Sequence, residues 1–273
     1  MIFAELALYL TTPVDRTTRS LGLLWESITL WSRGVRHRRL WAEHHANCQA
    51  VVTGAMAGLK QRRKVLVLGS GLVRDVPLDR LCEAFEEVVL VDAVHLPLVR
   101  LRMVRRPKVR LVTRDLTGIM PWLAGKVEGR SDPVADFVAD EAIDLVISAN
   151  LLSQLAWPVE DWLEKEAARA PRFPADLPRR CVAWHLEDLR RFKGRVCLLS
   201  DVEMIERDRS GAITDRLDLT RGEALPAPDE SWDWVVAPFG EAARDRDYVH
   251  RVCAWRNVFP SPLAGEGGRA AVG

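Results

Sequence analysis

Two glycines and one carboxylate are the first residues whose types and spacing suggest chemistry. Gly69 and Gly71 flank Ser70 directly after the apolar run Val65–Leu68. Glycine at such a turn lets backbone approach a ligand closely. A second apolar run, Val88–Val91, is closed by Asp92. A carboxylate at that strand end can accept hydrogen bonds from ribose hydroxyls, and in open α/β sheets ligands sit beyond the carboxyl ends of the strands. The arrangement implies an adenosine-containing ligand before it implies a reaction.

The elements that must position these groups follow from periodicity. Lys64–Asp92 reads as strand, glycine turn, helix and strand, the helix carried by Leu78, Leu81, Ala84 and Phe85 over 77–85. Uninterrupted apolar runs suit parallel strands buried on both faces. A helix is expected over 93–103, a third strand over Val109–Val112, a loop over 122–142 and a fourth strand over Ile143–Ile147. The segment 157–178, rich in Pro, Ala, Arg and Trp, reads as an insertion or lid. A helix over 181–192 leads to a fifth strand over 194–201. A hairpin follows over 201–219, turning at Asp208–Gly211. The stretches 232–237 and 249–257 supply the last two strands. Residues 1–60 read as helical: a first short helix interrupted by Thr11-Thr12-Pro13, then a long one over 21–59 that Gly34 divides.

The dinucleotide fingerprint G-x-G-x-x-G requires a third glycine, and Arg74 stands there. Gly69-Ser70-Gly71 instead resembles the shorter glycine loop of class I S-adenosylmethionine-dependent methyltransferases. The resemblance grows more specific at Asp115-Leu116, after the third strand, and at the fourth strand, which leads into Ser148, Asn150 and Gln154. It spans about residues 64–257, and the order and spacing of its motifs carry it. It implies an α/β fold: a seven-stranded, mostly parallel Rossmann-like sheet flanked by helices, with the last strand antiparallel and a helical N-terminal extension. The implied division is 1–60 as a helical extension or cap, 61–258 as the methyltransferase-like domain, and 259–273 as a disordered tail.

The cofactor implied is S-adenosylmethionine. Gly69, Ser70 and Gly71 would lie beside its amino-acid part, Asp92 on ribose, and Asp115 with Leu116 at adenine; the alternative for Asp115 is a helix cap. Asn150 and Gln154 are candidates for the substrate mouth beside the methyl donor, or else cap the next helix. His185 is a candidate base, since histidine titrates near neutrality, or a partly buried structural histidine. No N-P-P-Y or D-P-P-Y sequence is present, which disfavours the usual amino-methylating nucleic-acid enzymes. The expected activity is methyl transfer to an O, N or S atom of a small molecule or protein. The alternatives are a non-catalytic binding or assembly module and an NAD-dependent oxidoreductase.

Composition narrows the setting. With 273 residues and a formal net charge of +1, nothing in the overall charge calls for nucleic acid or membrane. The basic run over 33–39 reads as a patch for an anionic substrate or membrane surface or as a solvated helix face, and that over 100–110 as a nucleic-acid contact or as a solvated surface. His44 and His45 are adjacent on a helix, so they are expected to point apart and to make poor metal ligands as a pair; no metal is expected. Five scattered cysteines form no C-x-x-C pair, and Cys82 and Cys197 read as buried thiols in a reducing compartment. Met1–Leu10 is apolar but holds Glu5 and lacks a basic start, so it reads as a helix rather than a signal peptide. A cytoplasmic protein without membrane insertion is expected.

Overall fold

In the computed structural model, residues 2–260 are described; the expected tail lies, from 261 onward, outside the described residues. The elements in order are α1 (Ile2–Thr11), α2 (Arg16–Ser20), α3 (Leu23–Arg36), α4 (Ala42–Ala55), β1 (Lys64–Leu68), α5 (Leu78–Ala84) and β2 (Glu87–Asp92). Next come α6 (Pro97–Met103), β3 (Val109–Thr113), α7 (Met120–Leu123), α8 (Ala135–Ala139), β4 (Ile143–Ala149), α9 (Trp157–Lys165) and α10 (Leu177–Arg190). The chain closes with β5 (Arg195–Asp208), β6 (Ile213–Asp218), β7 (Glu230–Ala237) and β8 (Arg246–Trp255).

One sheet runs in the order β3-β2-β1-β4-β5-β8-β7, and β6 pairs with the overhanging end of β5. β1 to β5 are mutually parallel, whereas β8 runs antiparallel to both its neighbours. The fold is Rossmann-like, with the strand order reversing between β1 and β4. That reversal leaves a crevice at the carboxyl ends of the strands.

Period-two alternation sorts the central strands between two cores. Val65, Val67, Val88, Leu90, Leu145 and Ile147 face one helical layer, and Leu66, Leu68, Val89, Val91 and Val146 face the other. The N-terminal helices belong to the first layer. Leu24 and Ile28 of α3 and Cys48, Val51, Val52 and Ala55 of α4 are buried in the same cluster as β1 and β4. On α4 those spacings place them along one stripe of the helix.

Several expected boundaries move. The long N-terminal helix breaks over His37–Trp41 and not at Gly34, which lies inside α3. A Cβ at Gly34 would fall 2.3 Å from the Arg74 guanidinium, so the glycine gives Arg74 room beneath the helix. The second helix of the βαβ unit begins at Pro97 rather than at residue 93, since proline suits the first helical turn. The expected loop over 122–142 contains α8 and the end of α7. The expected lid over 157–178 contains α9, whose Val159 and Trp162 are buried in a third core cluster. β5 continues seven residues beyond the expected end at 201, into the hairpin whose turn falls at Asp208–Gly211 as the sequence indicated.

Candidate cofactor and acceptor cleft

The glycine turn is built by hydrogen bonds between neighbouring strands. Gly69 and Ser70 both donate their N–H groups to Val91 O at 3.0 and 3.1 Å. Gly69 (φ +72°) and Gly71 (φ +46°) both have left-handed backbone. Their surroundings differ. A Cβ at Gly69 would lie 2.6 Å from the Leu151 side chain, while at Gly71 nothing comes closer than 4.0 Å. Gly69 is therefore small for packing, and Gly71 is small on an open side.

Asp92 ties the turn to the second strand. Its carboxylate accepts from Gly71 N–H at 2.7 Å and from Val94 N–H at 3.1 Å. Burial raises its pKa, opposed by these backbone donors. A carboxylate offers about four lone-pair positions, so two remain for a ligand. Asp115 accepts from Thr117 N–H at 2.8 Å and from Met120 N–H at 2.8 Å, where it secures the start of α7. It lines the same space as Asp92, with Leu116 beside it.

These residues form one end of a cleft of ≈ 560 Å³, within the usual range for small-ligand sites. α3 roofs it with Glu26, Leu30 and Arg33, and α9 closes a side with Trp157 and Asp161. The other end is a wall of Asp201 on β5, Trp234 on β7 and His250 on β8. His250 Nδ1 lies 2.8 Å from Asp201 Oδ2. Asp201 is 3% exposed, and its Oδ1 has no partner. Glu26 faces the cavity without an ion pair among the described residues; its side chain reaches solvent, but the protein packed around its carboxyl, and then the like charge of Asp161, push it up to about 7.

The sequence candidates separate on this frame. Gly69, Gly71, Asp92, Asp115, Leu116 and Gln154 line the main cleft. Ser70 and Asn150 line an adjoining cavity of ≈ 70 Å³ beneath the turn, together with Arg74 and Asp75. The Ser70 hydroxyl and Asn150 Oδ1 are buried there without protein partners. His185 is elsewhere: 1% exposed, with Nε2 2.9 Å from the buried Ser148 hydroxyl and its pKa driven down to about 3 by burial and by Arg130. It lines neither cavity, which makes it a core histidine rather than a base facing a substrate.

The two adjacent histidines correct a second expectation. Their ring centroids are 5.5 Å apart, and both approach Asp75, His45 at 2.7 Å and His44 at 3.8 Å. The three could reach one ion, but the hydrogen bonding argues otherwise. Trp232 Nε1–H donates to His44 Nδ1 at 3.2 Å, and an indole N–H cannot accept. A His44 binding metal through Nε2 would carry its proton on Nδ1, setting donor against donor. The neutral ring fits instead with its proton on Nε2, the nitrogen that faces the Asp75 carboxylate at 3.8 Å, which leaves Nδ1 free to accept from Trp232. Burial lowers the His44 pKa accordingly.

Part of each basic run is taken up by local contacts. Arg33, Arg36 and His37 converge on Glu241, in the β7–β8 connection, Arg33 at 3.7 Å and His37 at 2.8 Å. Arg106 pairs with Asp79 at 2.5 Å, Arg110 with Glu87 at 2.8 Å, and Lys108 donates to the Cys82 and Phe85 carbonyls. Cys197 is buried as expected, whereas Cys82 is only half-buried. No helix among the described residues is long and apolar enough to cross a membrane.

Asp201, His250, Glu26 and Trp234 were not singled out from sequence. For Asp201 the signal existed, because it closes the apolar part of β5 as Asp92 closes β2. His250 sits in a strand whose alternation gives no hint of its partner.

No family model matches the sequence, and no curated protein does. Among solved structures, the chain aligns with 1,6-didemethyltoxoflavin-N1-methyltransferase of Burkholderia thailandensis, crystallised with 1,6-didemethyltoxoflavin and S-adenosylhomocysteine. The identity is 15%, over 89% of this chain and 92% of that one, with a TM-score of 0.42. It aligns with the N-methyltransferase NodS of Bradyrhizobium japonicum at 13% identity, covering 78% and 86%, TM-score 0.39. Phosphoethanolamine N-methyltransferase 1 of Haemonchus contortus gives 13%, covering 90% of this chain and 50% of that one, TM-score 0.40. At such identities and scores, the chemistry of the site rests on this chain's own residues.

Proposed function

We propose that the protein is an S-adenosylmethionine-dependent methyltransferase acting on an O, N or S atom of a small molecule. The observation that carries this reading is the Asp92 carboxylate at the end of β2, bound to Gly71 N–H and lining the cleft where the strand order reverses. The open side of Gly71 and the unpartnered Ser70 and Asn150 oxygens below it fit a polar amino-acid moiety. In this reading Gly69, Ser70, Gly71 and Asn150 surround that moiety, Asp92 accepts from the ribose hydroxyls, and Asp115 with Leu116 meets adenine. Arg74, half-buried and without an ion pair among the described residues, is suited to a carboxylate. Gln154 stands between the two cavities, at the substrate mouth.

When bound, S-adenosylmethionine supplies a methyl group already activated on a sulfonium. The chain's contribution is then orientation and exclusion of water, which can provide much of the rate. The roof of α3 and α9 favours an acceptor small enough to be enclosed. The scattered cysteines fit a cytoplasmic setting.

Calorimetric titration with S-adenosylmethionine, S-adenosylhomocysteine and NAD tests the reading. Micromolar binding of the first two, lost in Asp92→Ala with the fold intact, is expected. Folded protein that binds neither points to a non-catalytic module, and binding of NAD in their place points to an oxidoreductase.

A further inference from the structure

We propose that His250 is the proton acceptor for the substrate's nucleophile, and that Asp201 positions it, so that the β5–β8–β7 wall is the acceptor side of the cleft. The inference rests on the methyltransferase reading. Its starting point is strand register. Asp201 pairs with Val252 and Glu203 with Arg251, leaving Val202 as a bulge. Bulges re-aim side chains. Asp201 lies opposite Val252, two residues from His250, and shares its face.

The tautomer follows from the partner. An ionised Asp201 can only accept, so His250 Nδ1 carries the hydrogen across the 2.8 Å contact. The lone pair of the neutral ring is then on Nε2. That nitrogen makes no hydrogen bond among the described residues, and the ring lines the cavity. Asp201 is buried with Oδ1 unpartnered, an under-satisfied carboxylate that gains when the ring becomes imidazolium. This is the orienting logic of a histidine–aspartate pair.

The ring is also held mechanically. Trp234 meets it edge-on at 5.9 Å and 82°, and Trp234 is itself stacked on His44 at 3.9 Å and 7°. The charged groups that share the cleft with it are Glu26 and Arg33 on α3, Asp161 on α9, and Asp92, Arg114 and Asp115 at the far end; His44 of α4 lies behind Trp234.

The step balances. The acceptor atom gives a lone pair to the methyl carbon, the carbon–sulfur bond breaks with its electrons left on sulfur, and the acceptor's proton passes to Nε2 and then to water. A base is needed only where the nucleophile keeps its proton at neutral pH, so the substrate class is a hydroxyl or amine and not an ionised thiol.

The test uses the full chain with isotope-labelled histidine, followed by NMR titration with and without saturating S-adenosylhomocysteine. The labelled ring is expected to carry its proton on Nδ1 in the wild type but not in Asp201→Asn, and His250 is expected to react with diethylpyrocarbonate. A ring whose proton sits on Nε2, or one that does not react, overturns the proposal. With labelled S-adenosylmethionine and phenol, 2-phenylethylamine and thiophenol as probes, His250→Gln is expected to slow transfer about 100-fold or more to the first two. For thiophenol, ionised without help at mildly alkaline pH, the loss should stay within about threefold. Equal loss on all three would make His250 structural and overturn the assignment. If wild-type protein binds no S-adenosylhomocysteine, the cofactor reading fails, while the tautomer and the diethylpyrocarbonate reaction still decide whether His250 is an available base.

Discussion

The two ends of the cleft are built from different distances along the chain. At the Asp92 end, strand, turn and carboxylate come from one stretch of sequence, and their hydrogen bonds run between adjacent parallel strands. At the His250 end, α3, β5, β7 and β8 each contribute a side chain, brought together by antiparallel pairing late in the chain. The first end is a backbone cradle that leaves few choices of residue. The second is a wall of side chains, of which Asp201 and Trp234 are also buried in the protein interior. In the assignment proposed above, the first end meets the cofactor and the second the acceptor.

The sharpest way to break that separation is at Asp92. Asp92→Ala is expected to weaken S-adenosylhomocysteine binding by roughly 100-fold or more, since it removes a charged hydrogen-bond acceptor, with little change in circular dichroism. Comparable affinity in the variant would dissolve the distinction between the two ends. Trp234→Ala acts on the other end: loss of a buried tryptophan should lower unfolding stability by about 3–5 kcal/mol. In His250→Gln, which touches the main cleft but not the cavity beneath the turn, S-adenosylhomocysteine affinity measured by calorimetry on folded protein should move less than about threefold.

The glycines sharpen the comparison within the first end. Gly69→Ala meets Leu151 and a positive φ, and should cost about 1–3 kcal/mol in denaturant titration. Gly71→Ala meets only the φ penalty in the free protein, so its loss should show mainly as weaker ligand binding. The smallest effect is one of pH. Glu26 keeps its proton up to about 7 in the folded chain, against 4.5 in the unfolded one. The folded state therefore binds more protons between those values, and stability is fullest below 4.5 and declines as pH rises through 7. Water in the cavity moderates the decline. Glu26→Gln should flatten it, as read by urea unfolding across that range.

What was legible in the sequence follows the same division. The apolar runs of β1, β2 and β4, the glycine turn and the hairpin turn at Asp208–Gly211 are local signals, and each was read where it stands. Gly34 misled because a helical glycine can serve packing as well as a break, and the side chain it accommodates, Arg74, is forty residues away. For His185 both readings stayed open, because a lone histidine carries no mark of whether the surrounding helices will bury it. His44 and His45 were expected to diverge, yet Asp75, beyond β1, draws both. Asp201 could have been found by analogy with Asp92, but pairing it with His250 required knowing which strands would meet.

Glu241 joins the last β-connection to the end of the roof helix through Arg33, Arg36 and His37. Because α3 is fastened there, ligand exchange that lifts the roof has to break a cluster of ion pairs lying partly in solvent. Salt screens such pairs. The residence time of a bound product should therefore shorten as ionic strength rises, and Glu241→Gln should make it short at every salt concentration; stopped-flow displacement would record both. A contact that contributes little to folding would then set the pace of turnover.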